Sequence, residues 1–189
     1  MAVTSNDILN QAIQYIGDNQ PPVTGQAPTF DSSPAGVAGA KFYTAVVQTI
    51  GRQFAWDFSR NTFPLVLSGN PGTDPFLYEY IYPSNAIQIW QLKAAALTDQ
   101  NNPLPINWQV ANTLVNNVQT KVIQTNLQNA VAVMNNNPSE SVWDPGFREA
   151  VVRLLASVMS MALAGKPDAA QSYLDSASQF TQSAEARGN

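Results

Sequence analysis

The chain of 189 residues has no cysteine and no histidine. The first absence excludes disulfides and thiolate zinc sites. The second removes imidazole as a general base, the Ser-His-Asp and Cys-His nucleophile systems, and a common transition-metal ligand. Charge is scarce as well. Asp, Glu, Lys and Arg make up 12% of the residues, about half the ~25% usual for soluble domains. The net charge is -4 and the pI near 4.6, so nothing draws the chain to phosphate backbones. Its surface has to be built from Asn, Gln, Ser and Thr, and weak charge gives only modest colloidal protection, which favours burial of surface in an assembly. Long apolar runs are missing too: residues 150–164 are interrupted by Arg153 and fall short of a bilayer span. The first seven residues lack the basic and apolar regions of a secretory signal. The expectation is a soluble protein made in the cytoplasm, without membrane contact.

The search for chemistry is correspondingly short. The 13 acidic residues are scattered one or two per element and form no two-metal cluster. Ser68-Gly69-Asn70-Pro71-Gly72 lacks the Gly-Lys-Ser/Thr ending of a phosphate loop and reads as a turn. Asp144 reads as a helix cap and Glu149 as a first-turn acid suited to the helix dipole. Lys93 and Lys121 lie in expected strands, where edge protection accounts for them better than a single-strand binding groove. No catalytic, cofactor-binding or metal-binding residue is singled out.

What is present is helix and strand patterning. Ser5 is placed to cap a first helix with Ile8, Leu9, Ala12, Ile13 and Ile16 on one face, ended by Gly17. Residues 18–34 hold Pro21, Pro22, Gly25, Pro28 and Pro34, and predict a surface connection without regular structure. A second helix from Ala35 to about Trp56 turns Tyr43, Val46, Val47, Ile50 and Phe54 inward. It ends in the aromatic cluster Phe54, Trp56 and Phe58, whose plain role is core packing. Strand-like pieces follow at 62–67, 76–82, 86–92, 105–110 and 118–125, with Asn116-Asn117 as a tight hairpin turn. Asp144-Pro145 then starts a helix with a broad stripe: Phe147, Ala150, Val151, Leu154, Leu155, Val158, Met161 and Ala162. Gly165 and Pro167 stop it, and Ala169, Ala170, Tyr173, Ala177, Phe180 and Ala184 give a last helix a narrower face. The expected fold is α+β, mainly α: a four-helix bundle domain (1–61 and 135–189) interrupted by a small antiparallel β-rich insertion (62–134).

Several segments, in order, resemble the head-to-tail adaptor family of short-tailed bacteriophages, also called tail tubular protein A. Asp7-Ile8-Leu9-Asn10-Gln11-Ala12 through Ile16-Gly17 and Pro21-Pro22-Val23 is similar to the family's first helix and the proline after it. Phe54-Ala55-Trp56-Asp57-Phe58-Ser59-Arg60 resembles the aromatic motif closing its second helix. Tyr80-Ile81-Tyr82-Pro83-Ser84-Asn85 resembles a strand leading to Leu-Pro, with Tyr82 in place of leucine. Trp143-Asp144-Pro145-Gly146-Phe147-Arg148-Glu149-Ala150 and Leu154-Leu155-Ala156 resemble the start of its penultimate helix. The chain departs from the family in its proline-rich loop and its asparagine-rich sheet.

The resemblance implies a non-enzymatic ring of twelve copies in the virion neck. Such a ring sits beneath the portal protein, receives the tail nozzle protein on its other side and lets DNA pass without sequence-specific binding. An acidic, weakly charged chain suits a channel that should not grip DNA. Ring contacts are heterologous, and the β-rich insertion and the loop bearing Pro21, Pro22, Pro28 and Phe30 are the candidate surfaces for a neighbouring subunit or the nozzle. The last helix is either a core lid or a docking arm. As an arm it would meet the portal through Tyr173, Ala177, Phe180, Ala184 and Arg187. The alternative is a DNA-packaging or DNA-binding accessory protein, which would need a basic patch. A hydrolytic enzyme would need an unfamiliar site.

Overall fold

The computed structural model describes residues 2–17, 21–94, 106–164 and 167–187, with the side chains of 164, 167 and 184–187 left aside. The chain forms two compact units. One combines Met1–Phe58 with Pro138–Asn189, and the other is Ser59–Asn137.

In the first unit, α1 (Ser5–Ile16) is capped by Thr4, not by Ser5. The Thr4 hydroxyl accepts from the Asp7 N–H at 3.3 Å, while the Asp7 carboxylate accepts from the Thr4 N–H at 2.9 Å. This reciprocal pair satisfies free donors at both ends of the first turn. Ser5 is instead buried, and its Oγ accepts from the Ala27 N–H at 2.9 Å. Gly17 closes the helix at φ 71, a conformation that costs a glycine little.

The connection after α1 is more ordered than its composition implies. Strands β1 (Gly25–Gln26) and β2 (Thr29–Phe30) make a miniature antiparallel hairpin. The Asp31 carboxylate accepts from the Thr24 N–H at 2.6 Å, the Ser33 N–H at 3.0 Å and the Ser33 hydroxyl. These bonds, the Ser33 hydroxyl foremost, hold the Asp31 carboxyl at about 2, below its ordinary 3.8. Because the folded value is depressed, the stabilisation is complete above about 3.8 and is lost as pH falls through about 2. Over that window the melting temperature of the wild type is expected to fall toward that of Asp31→Asn. Equal slopes for the two proteins in pH-dependent calorimetry would contradict this.

Helix α2 (Pro34–Gln53) starts at Ser33, with Pro34 in the first turn. It ends earlier than the predicted Trp56, because Phe54 is extended at φ -147 and ψ 153. Trp56 then folds back, and its Nε1 donates to the Ile50 carbonyl at 3.1 Å. Helix α3 (Pro145–Met159) begins where Asp144 accepts from the Gly146 N–H at 2.7 Å. It is the central rod: α1, α2 and α4 (Pro167–Arg187) all pack on it. Phe147, Ala150, Val151, Val152, Leu155, Ala156 and Met159 are buried there with the inner faces of α1 and α2. The stripe does not extend to Met161 and Ala162 as predicted. Ser160–Ala164 form a π-turn, whose extra residue rotates the following side chains off the buried face, leaving Met161 57% exposed. In α4, Ser176, Ser178, Thr181 and Ser183 each turn their hydroxyl back onto the carbonyl four residues earlier.

The second unit is a two-sheet β structure. One sheet has the order β3 (Arg60–Pro64), β9 (Ala130–Asn135), β6 (Gln88–Ala94), and the other β4 (Leu67–Pro71), β5 (Tyr78–Ile81), β8 (Val118–Thr125), β7 (Trp108–Val115). All neighbours are antiparallel. Leu65, Tyr80, Ile89, Leu92, Ile123, Ala130, Ala132 and Met134 fill the core. At residues 116 and 117 asparagines turn the β7–β8 hairpin with φ 50 and 64, as the pattern predicted. Residues 68–71 belong to a strand, not to a turn. Lys93 is on the outer strand β6, but Lys121 is on the inner strand β8, its ammonium 3.6 Å from the centre of the Tyr82 ring. That contact, rather than edge protection, accounts for Lys121.

The mainly helical four-helix bundle expected from the sequence is therefore corrected. Among the described residues there are four α-helices and nine strands in three antiparallel sheets, and the β structure is no minor insertion. Charge is divided unequally as well. Unit Ser59–Asn137 holds Arg60, Lys93 and Lys121 against Asp74, Glu79 and Asp99, so the net charge of -4 belongs wholly to the helical unit.

Candidate functional site

The helical unit carries a cleft of about 790 Å³ where the end of α2, the start of α3 and the last turns of α4 meet. Its walls include Phe54, Trp56, Phe58, Trp143 and Phe180, with Asp57 and Asp144 among the lining residues. Trp56, Phe58 and Trp143 of this lining belong to an aromatic assembly centred on the buried Phe147. The rings of Trp143, Phe58 and Trp56 meet it edge to face at centroid distances of 4.9, 5.0 and 5.1 Å. Phe54 packs on Trp56 at 5.4 Å. Each such pair adds about 0.5–1.5 kcal/mol beyond the area it buries. The Trp143 indole donates to the Pro138 carbonyl at 3.1 Å, so its one polar atom is satisfied.

A polar latch joins α1, α3 and α4. The Tyr15 hydroxyl and Arg153 Nε both donate to Glu149 Oε1, at 2.9 and 2.8 Å. The Arg153 guanidinium lies 5.1 Å from the Tyr15 ring centre and 5.0 Å from that of Phe180. The Glu149 carboxylate, by its hydrogen bond first and its charge after burial, raises the Tyr15 phenol above its usual range. Elsewhere in the unit, the Tyr43 hydroxyl donates to Glu140 at 2.9 Å, and burial, then the Glu140 charge, pushes that phenol far up. Both phenols stay protonated donors that tie elements together.

The residues expected to dock the portal are spent inside this unit. Ala177 is buried, the Tyr173 hydroxyl donates to the Tyr15 carbonyl, and Phe180 stacks on Arg153. Ala184 and Arg187 lie outside the described side chains. In the expected contact loop, Pro21, Pro22 and Pro28 are exposed. Phe30 is core instead, its ring edge to face with Tyr43 at 5.8 Å; a buried ring cannot serve as a contact residue. The role of Glu149 as the latch was missed by reading it only against the helix dipole. Its spacing of four from Arg153 was a legible signal, whereas Tyr15 joins only through tertiary packing.

Chemically, the cleft offers apolar rings, the Asp57 and Asp144 carboxylates and the Ser183 hydroxyl, which donates to the Gln179 carbonyl at 2.8 Å. No group of three or more Asp or Glu is placed to hold a metal ion among the described residues. No described helix is long and apolar enough to cross a membrane. Neither a protein-family model nor a curated protein matches the chain.

Proposed function

We propose that this protein is a head-to-tail adaptor of a phage virion, a non-enzymatic ring subunit that seats between portal and tail nozzle and lets DNA pass. One observation carries the reading. Two of the segments that resemble the adaptor family, 54–60 and 143–150, lie far apart in sequence but supply the rings of one assembly around Phe147. Motifs that build one core together are a stronger likeness than any of them singly. The low charge and the scattered acids support a structural role over a catalytic or DNA-gripping one.

Because the apolar face of α4 packs inward, portal docking through Tyr173, Ala177 and Phe180 is not part of the proposal. The test is mass in solution with and without isolated portal rings, followed by electron microscopy of the mixture. The adaptor reading expects ring-shaped density added beneath the portal. A chain that leaves portal rings unchanged at every concentration overturns it, and salt-dependent binding to duplex DNA would favour the packaging alternative.

A further inference from the structure

A bare sheet edge is a template for another strand, and chains guard their edges with charge, proline, bulges or irregular register. Three outer strands of the β-rich unit are guarded in this way. β3 carries Arg60 and Pro64, and β6 carries Lys93 and a register shift between Ile89 and Gln91. β4 has Gly69 at φ 88, Pro71 and a shifted register against β5. β7 has none of these. It is uncharged, lacks proline and glycine, and pairs with β8 without a break from Trp108 to Val115.

The hairpin fixes which backbone groups face outward. Across the two-residue turn Asn116-Asn117, Val115 and Val118 exchange both backbone bonds. Alternation along the ladder then points the N–H and C=O of Leu114, Asn112, Val110 and Trp108 away from β8. The Asn70 amide agrees, donating to the Leu114 carbonyl at 3.0 Å. That contact closes one end of the edge. Among the described residues none pairs with the outer side of the stretch from Trp108 to Asn112, where Gln109, Val110 and Asn112 are exposed.

We propose that β7 pairs antiparallel with β7 of a second copy of this chain, about a two-fold axis at Val110. In that register Val110 faces Val110 of the other copy, apolar against apolar, and Trp108 lies opposite Asn112. All three residues use the outward groups that β8 leaves free. A second copy is the fitting occupant because the stretch is its own complement about Val110, which is 44% exposed. The unit's zero net charge adds to this, since two copies of it bring no net like-charge repulsion of their own. The contact is isologous, whereas ring contacts are heterologous. It therefore belongs to the chain outside any ring and does not rest on the adaptor reading.

Sedimentation velocity of the full chain across micromolar to millimolar concentrations is expected to show a reversible monomer–dimer equilibrium. Asn112→Pro removes an outward N–H without breaking a bond to β8, and should weaken the dimer about tenfold or more at an unchanged melting temperature. The absence of native cysteine permits a second test. Val110→Cys would bring two Cα atoms to about 5.5 Å across the axis, within the ~4.4–6.8 Å that a disulfide spans. It should form a covalent dimer under mild oxidation far faster than Leu114→Cys on the same strand. A wild type that stays monomeric throughout, equal cross-linking of the two cysteine variants, or a dimer undiminished in Asn112→Pro would each overturn the proposal.

Discussion

Glu79→Ala is expected to destabilise the β-rich unit by about 3–5 kcal/mol, read as faster native-state hydrogen exchange of the β5 and β8 amides. The Glu79 carboxylate is 1% exposed and is held by neutral donors. The Ser68 hydroxyl donates at 2.8 Å, the Asn70 amide at 3.2 Å and the Gln124 amide at 3.0 Å. Alanine would leave these donors without their acceptor; an unmet buried donor costs about 1–3 kcal/mol, which applies in full to the buried Gln124 amide and in part to the half-buried Ser68 and Asn70. The loss spreads further, because the Asn70 amide also holds the Leu114 carbonyl and the Gln124 amide also reaches Thr73. Glu79→Gln should be milder, since it keeps the volume but sets an amino group against one donor. A loss below about 1 kcal/mol for the alanine variant would mean that water takes the place of the carboxylate.

Phe147→Ala should cost the helical unit about 3–5 kcal/mol in chemical denaturation, the range for emptying a buried aromatic site. Phe147 is 3% exposed and is the ring on which Trp56, Phe58 and Trp143 converge. Its removal deletes three edge-to-face contacts with rings that line the cleft. Phe147→Leu refills part of the volume and should lose less than half as much. If both substitutions cost under about 1.5 kcal/mol, the assembly is not the keystone of this unit. Tryptophan emission gives a local readout, because Trp56 and Trp143 both touch the substituted ring.

How much of this was legible in the sequence varied with the physical signal. Helix ends were readable at Gly17 and at Asp144-Pro145, where one residue type answers one backbone need. At the first helix two hydroxyls competed, and Thr4 won because Asp7 stands three residues after it and can bond back. Met161 was misplaced because nothing in the composition marks a π-turn. β9 was overlooked because its residues are buried on both faces, apart from half-buried Val131, so no alternation shows. By composition β4 reads as a turn, because Ser-Gly-Asn-Pro is turn chemistry. It becomes a strand only because Ser68 and Asn70 bond the buried Glu79 of the neighbouring strand. In the candidate site, the aromatic residues were visible as a run at 54–58, but their convergence on Phe147 needed the fold.

The row of back-bonded hydroxyls in α4 bears on the last helix. Ser176, Ser178, Thr181 and Ser183 each bond the preceding turn, a habit that weakens intrinsic helicity. What keeps the segment helical is therefore its anchorage through Tyr173, Ala177 and Phe180. Pulled from that anchorage it would melt into coil, not swing out as a rod. Any partner recruiting it would have to supply the ordering entropy of a refolded segment, so its release and its folding are one thermodynamic event.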